Sequence, residues 1–212
     1  DNGTLHHLFA VYQCRKKLRH IRGTLELHLK ERSIKFSENN QPLEIEIRQQ
    51  KEANELIEEF MILANICAAE TLEERHKTCV YRVHEPPSTE KLADFALLTE
   101  AMNINLPETP NLTPKQFKLL LEKAPIGADK ELLQNAILRC QSRANYSIKN
   151  SGHYGLGLQR YAHFTSPIRR YSDLLVHRAL INACNLGADG MKNISSEQIS
   201  EICAHVSDTE LT

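Results

Sequence analysis

The chain has 212 residues, long enough for one substantial core, and its 26 Lys and Arg against 27 Asp and Glu give a net charge of −1. Hydrophobic residues make up 41% and charged residues 25%, which is typical of a globular protein. No apolar run approaches the roughly 20 residues that cross a bilayer, so a membrane protein is excluded. The six cysteines lie far apart without a CxxC pair, which predicts reduced, buried thiols in a cytoplasmic protein.

Hydrophobic periodicity predicts helices and a small sheet in the first half of the chain. Residues 4–22 read as an amphipathic helix that ends at Gly23, and residues 53–74 as a long helix. Between them, an antiparallel meander is predicted from three alternating segments: TLELHL from Thr24, RSIKFS from Arg32 and LEIEIR from Leu43. A short extended segment, VYRVH from Val80, stops at two prolines.

The second half is predicted to be mainly helical. Capping and proline signals place helices after Ser88, from Thr113-Pro114, over residues 129–145 and 166–185, and after Ser195 or Ser196. The glycine-punctuated SGHYGLGLQRYAHF is expected to be loop plus a short strand. Together these elements predict an α+β fold, mostly helical with a small antiparallel β meander.

The nearly neutral net charge hides a basic segment between Arg139 and Arg178. This segment has seven cations and one acid, a net charge of +6, whereas the remainder has 19 cations and 26 acids, a net charge of −7. Five aromatic residues are interleaved with the cations, at Tyr146, Tyr154, Tyr161, Phe164 and Tyr171. Arginines with aromatics suit single-stranded nucleic acid, because they neutralise the backbone and stack on bases. The alternative is an ordinary solvated basic face.

Within this segment, Ser166-Pro167 predicts a helix start with Arg169 and Arg170 in the first turn. Cations are unfavourable at the positive end of a helix, so two arginines there indicate that an anion binds. Free N–H groups and two guanidinium groups suit a phosphate. The alternatives are that both arginines are solvated, or that they pair with Asp173 or a more distant acid.

Two other patterns in the segment carry less weight. GHYGLGL, from Gly152, lacks the Lys-Ser/Thr pair of a phosphate loop, so its glycines are interpreted as allowing close backbone approach. His153, His163 and His177 are 10 and 14 residues apart, which fits no standard zinc pattern. Core or hydrogen-bonding histidines are therefore favoured over a metal site.

Acidic residues offer one candidate contact and no metal cluster. Glu58 and Glu59 are adjacent on a mostly apolar helix, so one can face solvent while the other turns toward the core. They form either a solvated helix face or a carboxylate that accepts hydrogen bonds from a ribose hydroxyl or a base. Phosphodiester hydrolysis normally needs divalent metals held by clustered carboxylates, and the sequence has no such cluster.

HFTSPIRRYSDLLVHR, residues 163–178, closely resembles the signature of the ribonuclease II/ribonuclease R family catalytic domain, the RNB domain. Further stretches resemble the same family in the same order: LIEEFMILANICAAE (56–70), YRVHEPPSTEKL (81–92) and LRCQSRANYSIKNSGHYGLGLQRYAHFTSPIRRY (138–171). RGTLEL near the start also fits. The resemblance covers nearly the whole chain, and YRVHEPPS is most similar to the ribonuclease R branch.

The resemblance implies a cytoplasmic, monomeric exoribonuclease that hydrolyses single-stranded RNA from 3′ to 5′ and releases nucleoside 5′-monophosphates with Mg²⁺ or Mn²⁺. By position, Arg169 would contact the scissile phosphate and Arg170 a neighbouring one. Glu59, more than Glu58, would lie near the terminal nucleotide. The wall of the RNA channel would include Tyr161, His163, Thr165, Ser166, Tyr171 and Arg178.

The chain departs from the family pattern in lacking the metal-binding aspartates, which lie earlier in that domain. It is therefore expected to be the C-terminal portion of an RNB domain, residues 1–212, without metal ligands and inactive alone. Ser172 stands where the family often has Pro, and Leu211 where Arg often follows Glu, which leaves the role of Glu210 open. The alternative function is a non-catalytic RNA-binding protein that retains the fold, and aspartates upstream would decide between the two.

Overall fold

The computed structural model describes residues 2–25, 27, 32–37, 39–47, 51–107, 111–125, 127–192 and 194–210. Within these residues the elements follow in the order α1 (Asn2–Arg22), β1 (Arg32–Phe36), β2 (Pro42–Ile47), α2 (Glu52–Glu74), β3 (Tyr81–His84), α3 (Thr89–Ala101), α4 (Pro114–Lys123), α5 (Ala128–Cys140), β4 (Ala144–Ser147), α6 (Tyr171–Cys184) and α7 (Ser196–Thr209). The predicted class, α+β and mostly helical, is confirmed. None of the helices in the described part is long and apolar enough to cross a membrane.

The strands form two separate antiparallel pairs. β1 and β2 make a hairpin in which Ile34 lies opposite Ile45, and β3 pairs with β4 with Arg82 opposite Tyr146. The hairpin confirms two of the three strands of the predicted meander. In the first predicted segment, the described residues Thr24, Leu25 and Leu27 are not in a strand, and its other residues lie outside the described part.

Local capping signals set several helix boundaries where the sequence predicts them. The hydroxyl of Ser88 accepts the backbone N–H of Lys91 at the start of α3. Thr113 and Ser195 each form a reciprocal capping box with a glutamine three residues later, at the starts of α4 and α7. At the end of α1, Gly23 adopts a φ of 78°, a left-handed conformation that favours glycine.

The helix predicted over residues 129–145 is too long, because α5 ends at Cys140 and the chain then enters β4. Ser142 in the connection donates its hydroxyl hydrogen to the carbonyl of Pro86 at 2.7 Å. The backbone of β4 pairs with β3, and the N–H of Tyr146 donates to the hydroxyl of Ser207 at 2.9 Å. These partners are distant in sequence, so tertiary pairing overrides the local helical pattern.

The described residues form two hydrophobic cores. One is built from α2, β3, β4, α6 and α7 around Leu72, Leu175 and Val176, and the other from α3, α4 and α5 around Phe117 and Leu133. The loop after β4 joins them: its Tyr154 packs against the second core and its Ala162 is buried in the first. This loop leads directly into the turn before α6.

The cysteines are all free thiols, but they are not all buried as predicted. Cys79, Cys140 and Cys203 are buried, whereas Cys14 and Cys67 are exposed. Cys67 lies within the apolar sequence of α2, yet on the outward side of that helix. An apolar sequence does not by itself bury a position on a helix, so the prediction of burial is wrong for Cys67.

Replacing Phe117 with Ala should lower the free energy of unfolding by about 3–5 kcal/mol, because a fully buried ring leaves a cavity in the α3–α5 core. Leu119→Ala is the matched control on the same helix. Its side chain is 44% exposed, so the expected cost is below about 1 kcal/mol. Equilibrium urea unfolding measures both, and equal losses for the two variants would contradict the assigned packing.

Candidate nucleic-acid interface

The segment before α6 is a closed turn, not the first turn of the helix. α6 begins at Tyr171, with Arg170 in the N-cap position. The N–H groups of Arg169 and Arg170 both donate to the carbonyl of Ser166, at 3.3 and 3.1 Å. The predicted helix start at Ser166 is therefore wrong, and the two arginines lie just before the helix.

Asp173, in the first turn of α6, explains why the helix starts late. Its carboxylate is fully buried and accepts the Ser166 N–H at 2.8 Å. It also accepts Nε and Nη2 of Arg170, each at 2.8 Å, and the hydroxyl of Ser172 at 3.2 Å. Burial lowers the pKa of the Arg170 guanidinium, but the hydrogen bonds to Asp173 outweigh it and raise that pKa overall. The pairing with Asp173 was one of the alternatives that the sequence left open.

Arg169 lies on the outside of this turn, exposed to solvent. It lines a cavity of about 380 Å³ together with Tyr146, Tyr171 and Glu210. Tyr171 is half exposed, and the neighbouring Ile168 is fully exposed. A guanidinium group beside an accessible phenol ring can bind a phosphate and stack on a base.

An acidic side chain closes the same cavity. Glu210 accepts Nη1 of Arg82 at 2.7 Å and the hydroxyl of Tyr146 at 3.1 Å. The Arg82 guanidinium lies 4.6 Å from the centre of the Tyr146 ring. Nδ1 of His163 is 2.9 Å from the Tyr146 oxygen and donates to it when that hydroxyl donates to Glu210. Glu210 is thus fixed by two side chains of the site, and His163 in turn contacts one of them, Tyr146.

A series of edge-to-face rings connects this cavity to a second one. Successive centroids are 5.6 Å apart from Tyr146 to His163, 5.7 Å to Tyr161, 5.3 Å to His153 and 5.1 Å to His84. Burial lowers the pKa of His163 to about 4 and that of His153 to about 3. Both imidazoles are neutral at pH 7, so the series offers ring surface rather than charge.

The second cavity, of about 610 Å³, contains the two adjacent glutamates of α2. Glu59 is 2% exposed and Glu58 is 37% exposed, as the helix geometry predicts for neighbours. Nη1 of Arg19 donates to both carboxylates at 2.9 Å. Glu58 is therefore the one with more surface open to a ligand, whereas the family resemblance implies Glu59.

The remaining predicted contacts fall elsewhere. Arg178 lies two turns along α6, where its Nε donates to the carbonyl of Asp189 at 3.3 Å, and it lines neither cavity. Thr165 and Ser166 are half-buried in the turn itself. Tyr161 is buried in the ring series. The predicted residues thus divide among the two cavities, the ring series that joins them, the turn before α6 and one distant position on α6.

Two buried polar residues that motif reasoning did not single out as functional also contribute to the site. Asn65 on α2 donates Nδ2 to the hydroxyl of Tyr161 at 3.0 Å and accepts the N–H of Phe164 at 2.9 Å. Asp173 closes the arginine turn. Each had a signal in the sequence: Asn65 interrupts the apolar run MILAN, and Asp173 is the single acid among seven cations.

The described residues include no group of three His, Cys, Asp or Glu side chains that could hold a metal ion. The three histidines of the basic segment make hydrogen bonds instead. Nδ1 of His153 accepts the N–H of Leu156 at 3.3 Å, and Nε2 of His177 lies 2.8 Å from the carbonyl of Phe164. One glycine of the loop, Gly155, lies so close to the ring of His84 that a Cβ would be 3.0 Å from that ring. This confirms the interpretation of close backbone approach at Gly155.

Comparison with known proteins identifies the family. The model of the RNB domain matches residues 2–185, and the chain belongs to this family. Ribonuclease R of Vibrio cholerae is 41% identical over 176 residues, which cover 83% of this chain and 21% of the relative. Ribonuclease R of Escherichia coli K12 is 40% identical, covering 83% and 22%. The chain thus spans about a fifth of the length of these relatives.

Solved structures show the same architecture. The apo form of Mycoplasma genitalium RNase R superposes with a TM-score of 0.88 at 30% identity, covering 99% of this chain and 33% of that one. The same protein in complex with ribose methylated single-stranded RNA gives a TM-score of 0.84, with the same coverage and identity. Yeast Ssd1, a pseudonuclease, shares the fold with a TM-score of 0.62 at 24% identity over 76% of this chain and 20% of that one.

Acid should destabilise the protein through its buried histidines. Folding keeps His153 and His163 neutral down to a pKa of about 3 and about 4, whereas unfolded histidine binds a proton below about pH 6.5. Below that pH the unfolded state binds more protons, so the free energy of unfolding should fall as the pH decreases from about 6.5 toward 4. Urea unfolding at a series of pH values measures the fall.

His163→Gln should flatten this pH dependence, because it removes one of the buried imidazoles whose pKa is lowered by folding. Tyr146→Phe is the matched control: it removes the hydroxyl partner of His163 but keeps the imidazole. The control should lower stability at every pH without flattening the slope. An unchanged slope in His163→Gln would contradict the assignment.

Proposed function

We propose that the protein carrying this chain is a 3′→5′ exoribonuclease that hydrolyses single-stranded RNA to nucleoside 5′-monophosphates. The observation that carries the proposal is the exposed Arg169 on a turn braced by a buried carboxylate. Membership of the RNB family supports it, as does the likeness to a ribonuclease R solved with single-stranded RNA.

In this proposal the chain is the C-terminal portion of an RNB domain. Its coverage of only 21–22% of the bacterial relatives supports this. The family chemistry implies Mg²⁺ or Mn²⁺, but the described residues contain no ligand cluster and so do not fit such a metal. In this proposal the metal ligands lie outside this chain, and the chain alone is inactive.

Arg169 has the principal role among the residues of this chain. Its exposed guanidinium binds the oxygens of the scissile phosphate and stabilises the negative charge that grows on them in the transition state. Arg170 uses Nε and one N–H of Nη2 on Asp173, so Nη1 and the second N–H of Nη2 remain to contact a neighbouring phosphate. Tyr171, beside Arg169, offers its half-exposed ring to a base.

The second cavity suits the sugar of a nucleotide. Glu58 accepts a hydrogen bond from a ribose hydroxyl, because its carboxylate is the more accessible of the pair. Glu59 contributes indirectly by fixing Arg19 beside it. Tyr161 and His163 lie between the two cavities and form the uncharged part of the surface on which the RNA strand lies.

The cellular setting is part of the proposal. Single-stranded RNA is the partner, and the full-length protein acts as a monomer in this proposal. The six free thiols are typical of a reducing compartment and support a cytoplasmic protein.

The alternative function, a non-catalytic RNA-binding protein, has one specific observation in its favour. Yeast Ssd1 shares this fold and is a pseudonuclease, so the fold alone does not decide between the two. Release of nucleoside monophosphates from a 3′-labelled and a 5′-labelled RNA by the full-length protein with Mg²⁺ distinguishes them. Tight binding without release would favour the alternative.

Arg169→Ala in the full-length enzyme should lower the single-turnover rate by roughly 10²–10³, the scale for losing one electrostatic partner of the transition state. RNA affinity should fall much less. Arg169→Lys should restore only part of the rate, because an ammonium group lacks the bidentate fork. A rate for Arg169→Ala within about threefold of wild type would refute the role.

The dependence of RNA affinity on salt should also identify Arg169 as a phosphate contact. Each phosphate neutralised on a single strand contributes about −0.7 to the slope of log affinity against log salt, so Arg169→Ala should reduce the slope by about 0.7. Lys123→Gln, an exposed cation at the end of α4, is the matched control and should leave the slope unchanged. Fluorescence anisotropy on poly(A) and poly(U) with metal-free enzyme measures both. Equal slopes for wild type and Arg169→Ala would indicate an ordinary solvated cation.

A further inference from the structure

We propose that Asp173 and Asn65 are the positioning residues of Arg169. The inference rests on the proposed function of Arg169 and extends it to two buried side chains that do not line either cavity. One comes from α6 and the other from α2. Between them they fix the loop of residues 161–170, which carries Arg169 into the first cavity.

Asp173 fixes the turn on both sides of Arg169. Its Oδ1 accepts the backbone N–H of Ser166, which begins the turn, and Nη2 of Arg170, which ends it, both at 2.8 Å. The carbonyl of Ser166 accepts the N–H groups of Arg169 and Arg170 and closes the turn. The backbone of Arg169 is therefore held between two residues that bind the same carboxylate.

Asn65 fixes the chain just before that turn. Its amide uses both ends, donating to the hydroxyl of Tyr161 and accepting the N–H of Phe164. The ring of Phe164 stacks on His177 of α6 with a centroid distance of 4.1 Å, and Nε2 of His177 lies 2.8 Å from the Phe164 carbonyl. At this point the loop is attached to α2 and α6 simultaneously.

These contacts matter because the side chain of Arg169 contributes little to fixing its own position. It is exposed and has no hydrogen bond or ion pair to any other described residue. Its position relative to a bound phosphate is therefore set by the backbone of the turn. A transition-state contact needs that position fixed in advance, and a displacement of about 1 Å can cost roughly 10²-fold in rate.

Asp173→Asn in the full-length enzyme is the first test. The amide keeps an oxygen for Ser166 but loses the charge that binds Arg170. The single-turnover rate constant at saturating RNA should fall roughly 10–100-fold, while the dissociation constant for RNA changes by less than about threefold. A purely structural role would lower the amplitude of the reaction, the fraction of active molecules, and leave the rate constant unchanged.

Asn65→Ser is the second variant and remains informative if Asp173→Asn does not fold, because it removes no charge. It should give the same signature, a lower rate constant with nearly unchanged affinity. Asp94→Asn removes an exposed carboxylate on α3 and is the matched control, with wild-type kinetics expected.

Each variant is then combined with Arg169→Ala. If Asp173 and Asn65 act through Arg169, their effect on the rate constant should shrink to less than about threefold in that background. The inference is overturned if either folded single variant keeps the wild-type rate constant, or if its loss is undiminished in the combination. An Arg169→Ala variant with wild-type rate would instead refute the proposed role of Arg169, and the inference with it.

Discussion

The buried carboxylate of Asp173 is the contact on which the proposed interface depends. Burying a charge away from water costs free energy unless several hydrogen-bond donors surround it. Asp173 accepts two hydrogen bonds from Arg170, one from Ser166 and one from Ser172. It also lies in the first turn of α6, where a negative charge complements the helix dipole. All of these needs are met together only when the preceding residues form a closed turn. The exposure of Arg169 is thus a consequence of the burial of an anion.

Charge in the site is confined to its two ends. Arg169, Arg82 and Glu210 surround the first cavity or contact its lining, whereas Arg19 and the two glutamates occupy the second. The rings between them are neutral, because burial suppresses protonation of His153 and His163. In the proposed function the cationic contacts to RNA therefore come from arginine, which keeps its charge at every physiological pH.

How much the sequence predicts depends on the range of the interactions involved. Helix caps are local: the sequence predicts the cap at Thr113 and places another at Ser195 or Ser196, of which the structure shows Ser195. The end of α5 was not, because β4 exists only through pairing with a strand about 60 residues earlier, and no local pattern contains that partner. In the site, the motif located Arg169 and Tyr171, which the structure brings to one cavity, while their roles remain predictions. Asn65 is buried on α2, and no local pattern in the sequence reveals what its amide binds.

The loop between β4 and α6 belongs to both cores, since Tyr154 packs against the α3–α5 core and Ala162 is buried in the other. Its Tyr154 hydroxyl also donates to the carbonyl of Leu112, just before α4. Neither core can loosen without releasing one end of the segment that presents Arg169. The same connection predicts where mutations would be harmful. Missense changes in α3–α5, remote from the proposed RNA contacts, should appear in a genetic screen as loss of activity. Such changes should also yield temperature-sensitive alleles.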